Sequence, residues 1–289
     1  MRIGPWLLKA AAIWIALLLG TMLGAGVAGL AGGPATSPTA PDGPLSAGGA
    51  FLAVAGMHAL VLALIAAQTR SGGWTLMLVL FATLFGAQTV LMQIETLFFS
   101  AHVRIPPDLL ARIVASAAIS TAIGAGVAAW LFRAEPGAPT RIDGLHWRLA
   151  VLAGAYLGLY FAAGYLIAWQ FPALRSYYGD GFQIALWPLI ALQLLRGLIW
   201  AGLAVLLARH LSGSRPMRAL TLALAFAVFG AAQLLYPNAW MPWPVRLPHL
   251  VEIGLANALF GAVAALVLWP RAASGPVRDA RPDALPFPS

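Results

Sequence analysis

Eight apolar stretches, each close to the length needed to cross a bilayer, constrain this chain more than any other feature. A helix needs about 20 apolar residues to span the hydrocarbon layer. The runs fall at about residues 6–31, 48–68, 75–99, 109–132, 148–171, 184–208, 218–236 and 248–269. The seventh is the shortest and ends at Tyr236-Pro237-Asn238, where proline stops a helix. The expected fold is all-α: a polytopic transmembrane helical bundle of about eight spans.

Composition enters as a check on that expectation. Of 289 residues, 61% are hydrophobic and 9% charged, against about 25% charged in a soluble domain. Seventeen basic and nine acidic side chains cannot cover a soluble sphere of this length. A soluble globular enzyme, a disordered chain and a nucleic-acid-binding protein are excluded. The chain has no cysteine, so disulfides, thiolate metal sites and cysteine nucleophiles are excluded as well.

The cations give an orientation. One side of the bundle receives Arg2, Lys9, Arg70, Arg133, Arg141, Arg148, Arg209, Arg215, Arg218, Arg271, Arg278 and Arg281. The other receives Arg104, Arg112, Arg175 and Arg246, and Arg196 falls within a span. By the positive-inside rule the cation-rich side is cytoplasmic, with both termini on it. Eight tryptophans near span ends agree, because an amphipathic ring favours the headgroup level. The bias to arginine, with abundant Ala, Gly and Pro, accords with a bacterial chain in the inner (plasma) membrane. The first run exceeds a secretory h-region of about 7–15 residues, so a retained span is expected.

The organisation is read as one transmembrane domain over residues 1–271, with possible halves 1–132 and 147–271. Residues 33–47 form a Pro/Ser/Thr-rich outer loop, and 272–289 a disordered cytoplasmic tail. The halves rest on two internal matches. Phe85-Gly86-Ala87-Gln88 resembles Phe229-Gly230-Ala231-Ala232-Gln233, and Val103-Arg104-Ile105-Pro106 resembles Val245-Arg246-Leu247-Pro248. A four-plus-four duplication gives halves of equal orientation, as in transporters built from parallel repeats. Gly20 and Gly24 form a GxxxG pair that suits close helix packing within the chain.

Function is written in the polar groups inside spans, since each is costly there unless paired or hydrated. The candidates are His58, Gln88, Glu95, Gln193, Arg196, His249, Glu252 and Asn257. Gln88 and Glu95 are seven apart, which places them on one helical face. Gln193 and Arg196, and likewise His249 and Glu252, are three apart. Arg196, His58 and Asn257 lie roughly 13–18 Å from the outer helix ends, near the midplane. With His102, Arg104 and Arg246 at the surface, these groups describe a funnel from the outer face, and the inner half offers only loop arginines.

Three readings follow. In the first, the funnel binds or transports a small anionic solute, drawn by the permanent cation Arg196, with Glu95, His249 or Glu252 carrying a coupling proton. In the second, Glu95, His249 and Glu252 perform acid–base or metal chemistry, with His102 as a further ligand. In the third, the charges are a structural ion-pair network that locks helices in a subunit of a membrane complex. No Gly-x-Ser-x-Gly elbow, Walker A loop, dinucleotide fingerprint or HExxH occurs. The first reading therefore calls for the lipid bilayer and a small solute, with no cofactor, metal or nucleic acid.

Some strings carry a resemblance. They are Gln93-Ile94-Glu95-Thr96, Gln193-Leu194-Leu195-Arg196-Gly197, and Met241-Pro242 through Val245-Arg246 to His249-Leu250-Val251-Glu252, Asn257 and Phe260-Gly261. Together they resemble uncharacterised multipass bacterial inner-membrane proteins with no assigned activity. Eight-span glutamate-dependent membrane proteases are similar in size, but their Glu-Glu-x-x-x-Arg motif is missing and Glu95 stands alone.

Overall fold

The computed structural model describes residues 3–30, 42–99, 106–133, 137–179, 185–238 and 240–269. Among the described residues, eight helices are long and apolar enough to cross a membrane: Ile3–Leu30, Ala47–Gln68, Gly73–Phe98, Pro107–Leu131, Leu145–Gln170, Leu186–His210, Arg215–Leu235 and Trp243–Leu268. We call them the first to eighth spans. The chain is an all-α multipass membrane protein; no strand occurs among the described residues. The apolar pattern is that of a bundle in lipid. Leu8, Leu19, Leu30, Leu78, Trp130 and Leu266 face outward, while His58, Gln193, Arg196, Arg246, Glu252 and Asn257 are buried.

The ends differ from the sequence expectation by a few residues, with one informative exception. The eighth span begins five residues early, at Trp243, and carries Pro248 inside it. The early start makes Arg246 part of the helix. Its guanidinium is fully buried and bonds the backbone oxygens of Tyr236 and, at 2.6 Å, Asp42. Arg246 is thus no surface cation. It staples the segment before the second span to the end of the seventh. A short helix unforeseen in the sequence, Pro172–Tyr178, lies between the fifth and sixth spans.

Small residues set the helix pairs. A Cβ added at Gly20 or Gly24 would lie 2.9 Å from Ser120 Cα or 2.7 Å from Ser116 O, so the first and fourth spans touch backbone to backbone. Gly197 meets Ala153 in the same way, and Gly261 meets Leu222 and Ala223 at 2.6 Å. In lipid no hydrophobic force drives helices together, so close van der Waals approach must do so.

The contacts form a closed pattern. The first span packs on the second and fourth, as the fifth does on the sixth and eighth. The third packs on the fourth, as the seventh does on the eighth. Across the middle, the second meets the seventh and the third meets the sixth. Replacing each span by the one four places on returns the same set. Three helix bounds share one offset: Ile3 and Leu145, Gln68 and His210, and Gly73 and Arg215 are each 142 residues apart, whereas Ala47 and Leu186 or Pro107 and Trp243 are not.

At the arginine-rich end the two middle loops pair directly. Thr69 and Leu211, also 142 apart, form an isolated antiparallel bridge. Arg70 N donates to His210 O at 3.0 Å, and Ser212 N donates to Gln68 O at 2.7 Å. Side chains add to this clasp: Ser71 Oγ and His210 Nδ1 are 2.7 Å apart, and Gln68 Nε2 donates to Thr221 at 2.8 Å. The expectation that this half carries only loop arginines is therefore corrected.

Candidate functional site

The third span holds the feature that organises the polar groups. Residues Gly86–Val90 form one π-helical turn between two α-helical segments. A π turn contains one residue more than an α turn, so later side chains rotate by on the order of 100°. Gln88 and Glu95 consequently part company. Gln88 lines a cavity with His58, whereas Glu95 points to the sixth span and bonds Arg196. The shared face expected from their spacing of seven does not form.

The first compartment is a charged cluster at the interface of the third and sixth spans. Arg196 Nη1 donates to Glu95 Oε1 at 2.7 Å and to Gln193 Oε1 at 2.8 Å. The Arg196 side chain is 5% exposed and that of Glu95 20%. Arg196 starts deeper than Glu95, and its long arm covers the difference, as amphipathic cations do near interfaces. Its guanidinium also lies over the Tyr156 ring at 5.9 Å, and its Nε has no hydrogen-bond partner.

Beside this pair, His249 Nδ1 is 2.9 Å from Glu252 Oε2, and His249 Nε2 is 3.1 Å from the Tyr178 hydroxyl. The phenol, imidazole and carboxylate make one hydrogen-bonded chain from the short helix into the eighth span. Burial first, then the nearby Glu95, Tyr177 and Glu252 charges, raise the Tyr178 phenol above its ordinary value. Tyr156, Tyr160 and Gly164 complete the wall from the fifth span. Both phenols interact with Glu95, Arg196 and Glu252, and a Cβ at Gly164 would lie 3.5 Å from Glu252 Oε1. The sequence reading missed these tyrosines, although their four-residue spacing with Gly164 marks one helical stripe.

The remaining candidates lie elsewhere. His58 meets Phe229 edge-on, with ring centroids 5.5 Å apart, and its Nε2 has no partner. Asn257 packs beneath Gly230, where an added Cβ would come within 2.3 Å of its amide nitrogen. The eight residues therefore divide among a charged cluster, a cavity and a packing contact, rather than lining one funnel. Among the described residues no three His, Cys, Asp or Glu side chains are grouped to hold a metal ion. His102 and Arg104 lie outside those residues, as do Arg2 and the cations of the tail. The motif matches have unequal counterparts. Phe85–Gln88 runs into the π turn, and Phe229–Gln233 into a 3-10 turn at Ala232–Leu235. These Phe-Gly pieces are 144 apart, not 142.

No family model, curated protein or solved structure matches this chain.

Proposed function

We propose that this protein binds or carries a small solute admitted from the outer face, between two four-span halves related by a parallel repeat. The observation that carries this reading is the Arg196–Glu95 pair, a charge contact between a buried arginine and a partly buried glutamate that joins a span of one half to a span of the other. Carriers with parallel repeats place their sites at such interfaces. The clasp at the arginine-rich end supports a bundle closed on that side. Positive-inside counting makes that side the cytoplasm, with both termini there, in a bacterial inner membrane.

The charge balance alters the expected solute. Glu95 neutralises Arg196, and the adjoining Glu252 adds a second carboxylate, so an anion entering here would have to displace one. The cluster suits a gate or a proton carrier better than an anion site. The His249–Glu252 chain leads from Tyr178 to the neighbourhood of that pair.

A thermal-shift screen of purified protein against small anions, amphiphiles and divalent metals tests this, with Arg196→Met and Glu95→Gln alongside. A ligand at 100 times its Kd stabilises the fold by about 2.7 kcal/mol. A shift lost in one variant that still folds is the expected result. No shift with any compound, with both variants badly destabilised, would leave only a structural network. The Tyr178–His249–Glu252 chain favours a second reading, acid–base catalysis at the outer face. It calls for turnover of membrane-soluble esters that disappears in His249→Gln.

A further inference from the structure

The second compartment is a partly open cavity of about 680 Å³ lined by the first, second, third and fourth spans and Tyr236. That volume is within the range of sites for drug-sized molecules, about 300–1,000 Å³. Its walls are mainly apolar, with Leu17, Ala25, Leu84 and Ile113 among them.

Three of the polar side chains around it are engaged with protein partners. Thr21 Oγ1 and Ser120 Oγ are 2.8 Å apart and both lie within hydrogen-bond distance of Leu17 O, so one hydroxyl donates to the other and the second donates to the carbonyl. Arg112 is paired with Asp108 at 2.6 Å. Among the described lining residues, the buried side-chain atom left without a partner is Nε2 of His58, a residue that is 4% exposed. Gln88 lines the same space because the π turn rotates it there. Single π turns inside α-helices recur at functional sites.

We propose that this cavity binds a neutral amphiphile, with an apolar body and one hydrogen-bonding head that reaches His58 and Gln88. The inference rests on the solute-binding reading above and names the class of solute. The charge of the ligand follows from the lining. Arg112, the one formal charge among the described lining residues, already has a carboxylate partner, so an ionised head would lose its hydration without gaining a free counter-charge there. The length follows from the fourth span. Arg112 and Ser120 are eight residues apart, about 12 Å along a helix, which accommodates a medium-length alkyl chain. An orphan imidazole nitrogen buried in the wall of such a space gains from a hydroxyl or carbonyl head that its ring can turn to meet, since an unmade buried hydrogen bond costs about 1–3 kcal/mol.

The test uses the full chain in lipid nanodiscs and a diazirine-bearing decanol as the probe. Matched probes carry a carboxylate or an ammonium head, and labelled peptides are mapped by mass spectrometry. The alcohol is expected to label the regions around Thr21 and Ser116, and unlabelled decanol to compete it away. Ala117→Leu, which fills the cavity, and His58→Phe are each expected to reduce that labelling about tenfold. His58→Gln, which retains a hydrogen-bonding group, is expected to recover much of it. Gly26→Ala is the neutral control, since nothing lies within 4 Å of its Cβ position. Labelling that does not saturate, that is unchanged in Ala117→Leu, or that prefers the carboxylate probe would overturn the proposal. Saturable labelling alongside a failed Arg196 screen would retain the cavity site and remove the carrier reading.

Discussion

If the Arg196–Glu95 contact is a buried ion pair, removing either partner alone should cost much more than removing both. The perturbation is a cycle of Glu95→Leu, Arg196→Met and the double variant. Orphaning one member of a buried pair costs about 3–5 kcal/mol, while replacing the whole pair by apolar groups is often near neutral. Geometry orders the two singles. Arg196 is 5% exposed and Glu95 20%, so an orphaned Arg196 is harder to hydrate than an orphaned Glu95. Glu95→Leu should therefore be the worse variant, at about 3 kcal/mol, with Arg196→Met about 1 kcal/mol milder. The double variant should lie no lower than the milder single, leaving a coupling of about 3 kcal/mol, a factor of more than 100 in the folding equilibrium. Ordinary hydrogen bonds between membrane helices supply a scale, averaging about 0.6 kcal/mol with a maximum near 1.7. Unfolding of the reconstituted protein in bicelles by steric trapping gives the four stabilities. Additive singles, with coupling below about 0.6 kcal/mol, would refute the buried pair and with it the argument that this contact joins the halves.

Other predictions concern packing, the clasp and the phenol chain. Gly261→Ala places a Cβ 2.6 Å from the Leu222 backbone and should destabilise by about 1–3 kcal/mol, whereas Gly26→Ala should stay within about 0.5 kcal/mol in the same unfolding assay. The amides of Arg70 and Ser212 donate across the clasp, so hydrogen exchange there should be slow for loop positions; rapid exchange would show the clasp is open. The Tyr178 phenol is raised in the fold, so the neutral form is favoured and its stabilisation is present below the ordinary tyrosine value of about 10. That contribution is lost as pH climbs through the raised value, and Tyr178→Phe should remove this part of the alkaline loss of stability. Phenolate absorbance from Tyr178 at the pH of free tyrosine would contradict the burial.

Short-range features were legible in the sequence because they depend on spacing along one helix. Gln193 with Arg196 and His249 with Glu252, each three apart, do meet. Gln88 with Glu95 fails the same argument because the spacing rule assumes unbroken α geometry, and one π turn lies between them. The tyrosine stripe was readable in principle, but Tyr156 and Tyr160 resemble the aromatic filling of any apolar span. Arg246 falls outside the apolar run that begins at 248, yet the helix begins earlier, at Trp243, and buries it.

The sequence by itself determined the number of spans and the kind of residue on each, because length and apolarity fix what a bilayer will accept. It could not determine which polar groups share a space. That was decided by tertiary packing: the turn of the third span that sends Gln88 and Glu95 apart, and the glycine contacts that bring the spans together. A helix rotates the face of everything beyond a turn when a single residue is added to it, and the spacing of residues along the chain does not reveal where such a turn falls.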